Sequence, residues 1–247
     1  MVNLECAGKS DIGKVRQGNE DSLFCDGERG VFIVADGMGG HVAGEVASQI
    51  VIETVGPGMS AAVDEGLAGT KLEERGLSLI EKANSAIMER ADSEPEKRGM
   101  GTTLTLLTVM DDGEYLFQQV GDSRGYVLRN GELNQITRDH TVVQQQVDRG
   151  TLTPEQAREH PLSHILTRAL GTESNVEADT YRSKAQPGDV FLLCSDGLSG
   201  MLPDGRIGQI LSEHSDDLNR AVEALVEAAN EAGGVDNVTV VLVKVTE

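Results

Sequence analysis

The stretch TTLTLLTVMDDGEYLFQQVGDSRGYVLRNGELNQI, residues 102–136, alternates short apolar runs with turn residues and shows no helical period. Four of its runs, TTLTLLTVM, EYLFQQV, GYVLR and ELNQI, read as strands. The last two are joined by Asn130-Gly131, a pair suited to the left-handed backbone of a two-residue hairpin. The expectation is a β-meander. Upstream, SLFCD (22–26) and VFIVAD (31–36) flank the turn GERG as another hairpin, and downstream VFLLCSD (190–196) and VTVVLVKV (238–245) are further strands. Between these blocks the period changes to that of helices. Ala43, Val46, Ala47, Ile50 and Val51 share one helical face, and Leu72, Leu79, Ile80, Ala83 and Ile87 share a second one over 71–91, which ends at Pro95 and Gly99. A helix over 204–212 precedes one carrying Leu218, Ala221, Val222, Leu225, Val226 and Ala229, stopped by Gly233-Gly234. Strands in antiparallel runs with helices in pairs between them predict an α+β fold, sheet packed on sheet with helices outside. Residues 139–171, rich in Gln, Arg and His and broken at Gly150 and Pro161, read as a surface insertion of short helical pieces. No linker or repeat divides the chain, so residues 1–247 are expected to form a single domain.

Composition narrows the partners. Lys plus Arg is 21 and Asp plus Glu is 41, a formal charge of -20 that repels nucleic acid and anionic lipid heads. Tryptophan is absent and aromatic residues are 3%, so there is no ladder of rings on which bases could stack. Neither nucleic acid nor membrane is an expected partner. Cys6, Cys25 and Cys194 are odd in number and have no C-x-x-C spacing, which speaks against a disulfide framework and a zinc site and for a reducing, cytoplasmic setting. No run approaches 18 apolar residues and the N-terminus lacks the apolar core of a signal peptide.

The chemistry lies in acids placed at strand ends: Asp36 in VFIVADGMGG, Asp196 in VFLLCSDGLSG and Asp236 in GGVDNVTVVLV. Any one Asp-Gly after a strand is an ordinary turn. Three buried strands delivering carboxylates to one end of a sheet, however, would place like charges together, a costly arrangement unless a cation neutralises them. A hard-cation site follows. Arg16-Gln17-Gly18-Asn19-Glu20-Asp21 adds two carboxylates suited to Mg²⁺ or Mn²⁺ and one guanidinium suited to clamping phosphate oxygens, and Asp122 in VGDSRGY is a further candidate. DGMGGH opens a helix after a strand but lacks the G-K-[ST] ending of a P-loop and the spacing of a dinucleotide fingerprint. With no G-x-S-x-G, H-E-x-x-H or activated thiol present, metal-activated water is the remaining nucleophile.

The ordered set VRQGNEDS, VFIVADGMGGHVAGEVAS, GMGTTLT, VGDSRGYVLRNG, DHTVV, LTRALG, LLCSDGLSGML and DNVTVVLV resembles the bacterial branch of metal-dependent, type 2C-like serine/threonine protein phosphatases, through nearly the whole chain. The resemblance implies a four-layer α-β-β-α sandwich, two antiparallel sheets flanked by helix pairs, with a binuclear Mn²⁺ or Mg²⁺ centre in a cleft at one end. It implies that Asp36 bridges the two metals, that Gly37 offers its carbonyl, that Asp196 and Asp236 bind the first metal and that Glu20 lies near the second. Asp21 would order the waters on the metals, Arg16 would bind phosphate, and Asp122 with Asp196 would complete a third, weaker metal site. Residues 139–171 correspond to the family's flap, implicated in substrate choice. The implied reaction is hydrolysis of phosphoserine and phosphothreonine in proteins by a metal-bridging hydroxide, in opposition to a bacterial serine/threonine kinase.

Two positions depart from the family. Animal members carry a general-acid histidine directly after the Asp-Gly, where this chain has Met38, and the nearby His41 is left as a residue that handles substrate or merely starts a helix. The flap reads HPLSHILTRALG, with Ser163 and His164 where many relatives have a basic residue and an asparagine, which bears on substrate preference. The competing expectations are a catalytically inactive phosphoprotein-binding module of the same fold, and a structural divalent-cation protein in which Arg16 has no task.

Overall fold

Strand β3 (Val31–Met38) is apolar without alternation because both of its faces are covered. Val31, Ile33 and Ala35 face the helices α1 (Val42–Asp64) and α2 (Gly69–Ser93), while Phe32 and Val34 face the opposite sheet. The strand thus divides two cores. A computed structural model of the chain describes residues 2–39 and 42–246, the Val42 side chain excepted. His41 lies outside the described residues.

The sheet around β3 also contains β2 (Asp21–Asp26), β5 (Leu104–Val109), β6 (Glu114–Val120) and β9 (Asp179–Lys184), in the order β2-β3-β5-β6-β9, with β4 (Gly101–Thr102) pairing the end of β3. The second sheet runs β1-β11-β10-β7-β8, built from β1 (Leu4–Asp11), β11 (Val238–Val245), β10 (Val190–Cys194), β7 (Arg124–Arg129) and β8 (Glu132–Gln135). Neighbouring strands in both sheets are antiparallel. Val241, Val243 and Phe191 meet Phe32, Leu107 and Phe117 between the sheets, and Tyr115, Phe117 and Phe191 form a cluster with ring centroids 4.9–6.1 Å apart. On the outer side, Val240, Leu242 and Leu192 pack beneath α6 (Asp204–Glu213) and α7 (Leu218–Glu231). The α-β-β-α order of layers is the expected one. Among the described residues no helix is long and apolar enough to cross a membrane.

Close approach of α1 to its neighbours depends on its small residues. A side chain at Gly56 would meet the Phe24 ring at 2.8 Å, and one at Gly58 would meet Leu79 at 2.6 Å.

Two features correct the sequence reading. The meander is not one sheet: β5 and β6 belong to the first sheet, β7 and β8 to the second, and the chain crosses between them at Gly121-Asp122-Ser123. Gly121 makes this possible, since its φ is +98° and a Cβ there would lie 2.5 Å from the Thr103 side chain. Strands β1 and β9 carry no apolar pattern and were not expected. Both are edges, so hydrogen bonds to β11 and β6 hold them with little burial of their own: only Ala7 of β1 is buried. The β7–β8 turn is as expected, with positive φ at Asn130 and Gly131. Within 139–171 the two helical pieces are α3 (Val142–Asp148) and α4 (Pro154–Arg158), the latter with a capping box between Thr153 and Gln156.

Candidate metal centre

Antiparallel register brings the acidic residues to one end of the sandwich. Asp36, near the end of β3, is the cross-strand partner of Asp21 at the start of β2. Cys194 at the end of β10 pairs with Val240 of β11 and Arg124 of β7, so Asp196, just past β10, Asp236, just before β11, and Asp122, just before β7, share that end. Five carboxylates from five separate segments therefore collect at one end of the sandwich. Asp196 is also the first residue of the short helix α5 (Asp196–Ser199) and lies close to Asp36.

The electrostatics record the crowding. Burial, and then the charges of Asp21, Asp196, Asp122 and Asp236, push the Asp36 carboxyl well above its ordinary range. Asp122 is raised well above that range by burial, Asp196 and Asp139, with Arg124 opposing. Asp196 is raised by burial and by Asp236, with the contact to Asp36 and the cations Arg16 and Arg124 working against the rise. Asp21, 8% exposed, is pushed up to about 7, burial outweighing the hydrogen bonds from Thr239 and Ser195. Asp21 points inward between the sheets: Ser195 Oγ donates to its Oδ2 at 2.8 Å and accepts the Thr239 N–H at 2.9 Å. Ser195 thus occupies the N-cap position of α5 while its hydroxyl serves Asp21 instead of the helix.

The scaffold beneath these acids is polar and specific. The Asp36 N–H donates to Thr103 Oγ1, and its carbonyl accepts both the Thr103 N–H and Thr102 Oγ1, each at 2.9 Å. Thr103 Oγ1 in turn lies 2.7 Å from Ser123 Oγ, which ties the Asp36 backbone to the Asp122 turn. Asn237 holds the loop before β2: its Nδ2 donates to the carbonyls of Ile12 and Gly18 at 2.9 and 3.0 Å, and its Oδ1 accepts the Glu20 N–H at 2.9 Å. That loop presents Arg16, whose Nη2 donates to Asp236 Oδ2 at 2.6 Å with about half of the guanidinium side chain exposed. The residue expected to clamp phosphate and one residue expected to bind metal are thus an ion pair.

Glu20 is buried, and its carbonyl accepts the Gly37 N–H at 3.2 Å and Ser48 Oγ at 2.6 Å. Gly37 sits against the first turn of α1, where a Cβ would lie 2.2 Å from the Gly44 carbonyl oxygen and 2.5 Å from that of Glu20. A Cβ on Gly44 would strike the Glu20 carboxylate at 2.0 Å. Backbone, not side chain, closes this corner. Gly37→Ala is expected to destabilise the chelated protein by about 2 kcal/mol through overpacking, read as a lower urea midpoint. An unchanged midpoint would show that β3 and α1 are free to separate here.

Among the described residues, no three of these side chains close into a finished metal cage. The donors nonetheless suit a hard divalent cation: they are oxygens only, most of them are buried, and their mutual repulsion is what such a cation would relieve. From Asp122 and Asp196 a groove of about 460 Å³ runs outward under α3 and α4, and residues 139–171 line it with Asp139, Val143, Ala157, Ser163 and His164. Arg124, which also lines it, makes a forked ion pair with Asp139 at 2.7–3.0 Å. Sequence reasoning passed over Ser195, Thr103, Asn237 and Arg124. The available signal was a hydroxyl, amide or guanidinium next to each acid at the end of an apolar strand, as in CSD, VDN and GDSR.

Residues 8–242 match the family model described as protein phosphatase 2C. The serine/threonine protein phosphatase PstP of Mycobacterium tuberculosis is 43% identical over 244 residues, covering 99% of this chain and 45% of that protein, so the chain spans less than half the length of this relative. The serine/threonine phosphatase stp of Listeria monocytogenes is 40% identical over 242 residues, covering 96% of this chain and 94% of the relative. The solved catalytic domain of PstP in complex with two manganese ions superposes with a TM-score of 0.87 at 40% identity, with full coverage of both chains. Shared fold, motifs running through both sheets, and identity at this level over the whole length have one explanation: the chain belongs to the protein phosphatase 2C family.

Proposed function

We propose that this chain is a Mn²⁺- or Mg²⁺-dependent phosphatase acting on phosphoserine and phosphothreonine in proteins. The observation that carries the reading is the convergence of five carboxylates at one sandwich end with a half-exposed guanidinium beside them. A purely structural cation site would give that guanidinium no work. Relatives that span most of their own length with this chain are named serine/threonine phosphatases, and one relative is solved with two manganese ions. Asp36, the Gly37 carbonyl, Asp196 and Asp236 would hold the cation pair with Glu20 near the second ion, and Asp122 with Asp196 would serve a third, weaker site. When bound, the cations supply Lewis acidity, which lowers the pKa of water from about 15.7 toward neutrality and offsets phosphoryl charge.

The chain's own groups do the rest. Arg16 exchanges its bond to Asp236 for two parallel bonds to phosphate oxygens, orienting phosphorus for in-line attack and countering equatorial charge. Asp21, fixed by Ser195 beneath Asp36, would order the waters that the cations hold. Residues 1–247 act as a single domain in which 139–171 is a flap, its inner wall receiving the polypeptide on one side of the phosphorylated residue. Three free thiols fit a reducing, cytoplasmic setting in which the opposing enzyme is a serine/threonine kinase. The acidic surface favours substrates with basic flanks over nucleic acid or membrane.

The test is hydrolysis of a phosphothreonine peptide with Mn²⁺, with chelator, and with Arg16→Ala. Turnover is expected to require metal, and the variant is expected to lose about 3 kcal/mol of transition-state stabilisation, roughly 10²-fold in kcat/KM. A folded, metal-loaded wild type that hydrolyses nothing would replace the phosphatase by a binding module, and an unimpaired variant would remove Arg16 from the site.

A further inference from the structure

His140 is buried, 6% exposed, and takes no part in the chemistry proposed above. It stands at the base of the 139–171 segment and grips both backbone groups of Gly121. Its Nδ1 accepts the Gly121 N–H at 3.2 Å, and its own N–H donates to the Gly121 carbonyl at 2.9 Å. On the far side its carbonyl accepts the Thr167 N–H at 2.7 Å, joining the two ends of the segment. The ring's other nitrogen, Nε2, lies 3.4 Å from Asp179 Oδ2 of β9. Arg168 Nη1 is also 3.4 Å from Nε2 but donates to Asp179 Oδ1 at 2.7 Å.

These contacts define one tautomer. A nitrogen that accepts an amide proton carries none of its own, so the neutral ring has its proton on Nε2, directed at Asp179, while Arg168 spends its donor on the same carboxylate. Burial holds the imidazole below its ordinary pKa, against the pull of Asp179. The residue after Gly121 is Asp122. Its turn is held from the other side by Gln119 Nε2, which donates to the carbonyls of Gly121 and Ser123 at 3.1 and 2.6 Å. Gly121 has a φ of +98°, a conformation that the bonds from His140 and Gln119 hold from both sides.

We propose that His140 is a positioning residue: through the Gly121 peptide it sets where the Asp122 carboxylate points, and so links the groove wall and β9 to the acid at the groove's inner end. The link rests on the assignment of Asp122 to a cation site, and its first two readouts need no turnover. In wild type, nitrogen NMR of the imidazole is expected to show a proton on Nε2 only, and the Gly121 amide is expected to exchange slowly with solvent. Asparagine can place its amide oxygen where Nδ1 stood, whereas glutamine replaces Nε2. His140→Asn is therefore expected to keep the Gly121 protection, and His140→Gln and His140→Ala to lose it.

With a phosphothreonine peptide, the Gln and Ala variants are expected to need about tenfold more Mn²⁺ for half-maximal turnover and to lose kcat with little change in KM, while the Asn variant stays near wild type. Isothermal titration of Mn²⁺ should show the same ranking in the absence of substrate. A wild-type ring protonated on Nδ1 would overturn the proposal even if every variant failed to fold. Equal Mn²⁺ requirements in the Gln and Asn variants would overturn it as well. A wild type without phosphatase activity would sink the functional reading but leave the tautomer, exchange and metal titration to decide the role of His140.

Discussion

Asp36→Asn is expected to lower Mn²⁺-dependent hydrolysis of a phosphothreonine peptide by roughly 10³-fold while leaving the fold intact. Asp36 is the acid toward which the others converge: its carboxyl feels Asp21, Asp196, Asp122 and Asp236 together, which is why it is the proposed holder of the cation pair. The amide keeps one oxygen but loses the charge that holds a cation pair close. Losing Lewis-acid stabilisation of about 4 kcal/mol corresponds to a rate loss of that size. The backbone should not notice, because the anchoring bonds at Asp36 are made by its N–H and carbonyl to Thr103 and Thr102 and not by its side chain. Circular dichroism should overlay that of wild type. Activity within tenfold of wild type would remove Asp36 from the centre of the reaction.

The second large effect concerns stability and pH in chelated protein. Asp21 is pushed up to about 7, Asp36 and Asp122 stand well above the ordinary carboxylate range, and Asp196 is raised too. A carboxyl whose folded pKa exceeds its unfolded value binds its proton more tightly in the native state. Its stabilising contribution is complete below the unfolded value of about 4 and is lost as pH rises through the folded one. For Asp21 that window runs from about pH 4 to about pH 7, and Asp36, Asp122 and Asp196 act in the same direction. In chelator, the melting midpoint is therefore expected to fall between pH 5.5 and pH 8, by several degrees if a few kcal/mol are lost in a chain of this size. Mn²⁺ should reverse the fall, because a bound cation turns the same carboxylates into ligands. The general negative charge acts in the same direction, so the control is Asp36→Asn, whose chelated midpoint should exceed that of wild type at pH 8 and vary less with pH. A chelated wild type that grows more stable toward pH 8 would mean that these acids are not in conflict.

Much of this was readable from residue order. Each strand of the inter-sheet core announces itself as an apolar run, and each critical acid sits at the end of one: Asp36 after VFIVA, Asp196 after VFLLCS, Asp236 two residues before VTVVLV. The helices α1, α2, α6 and α7 show their buried faces as 3.6-residue periods, since a surface helix buries one stripe. Strands β1 and β9 escaped because an edge strand is held by backbone hydrogen bonds that every residue can make, whatever its side chain. The split of the meander escaped for a related reason: EYLFQQV and GYVLR are equally good strands whether they pair with each other or turn away at Gly121, and only the crowding at Thr103 shows that the chain must cross.

Apolar periodicity by itself therefore determined the core strands, the long helices and the acids at the strand ends, though not the edge strands, because burial of apolar surface depends on local pattern and has no direction. Partnership belonged to the tertiary structure. That Asp21 faces Asp36, that Ser195 serves Asp21, that Asn237 pins the loop of Arg16 and that Arg16 meets Asp236 all join residues up to 225 positions apart. Such pairings are fixed by directional hydrogen bonds and strand register, which come into being only when the two sheets close on each other.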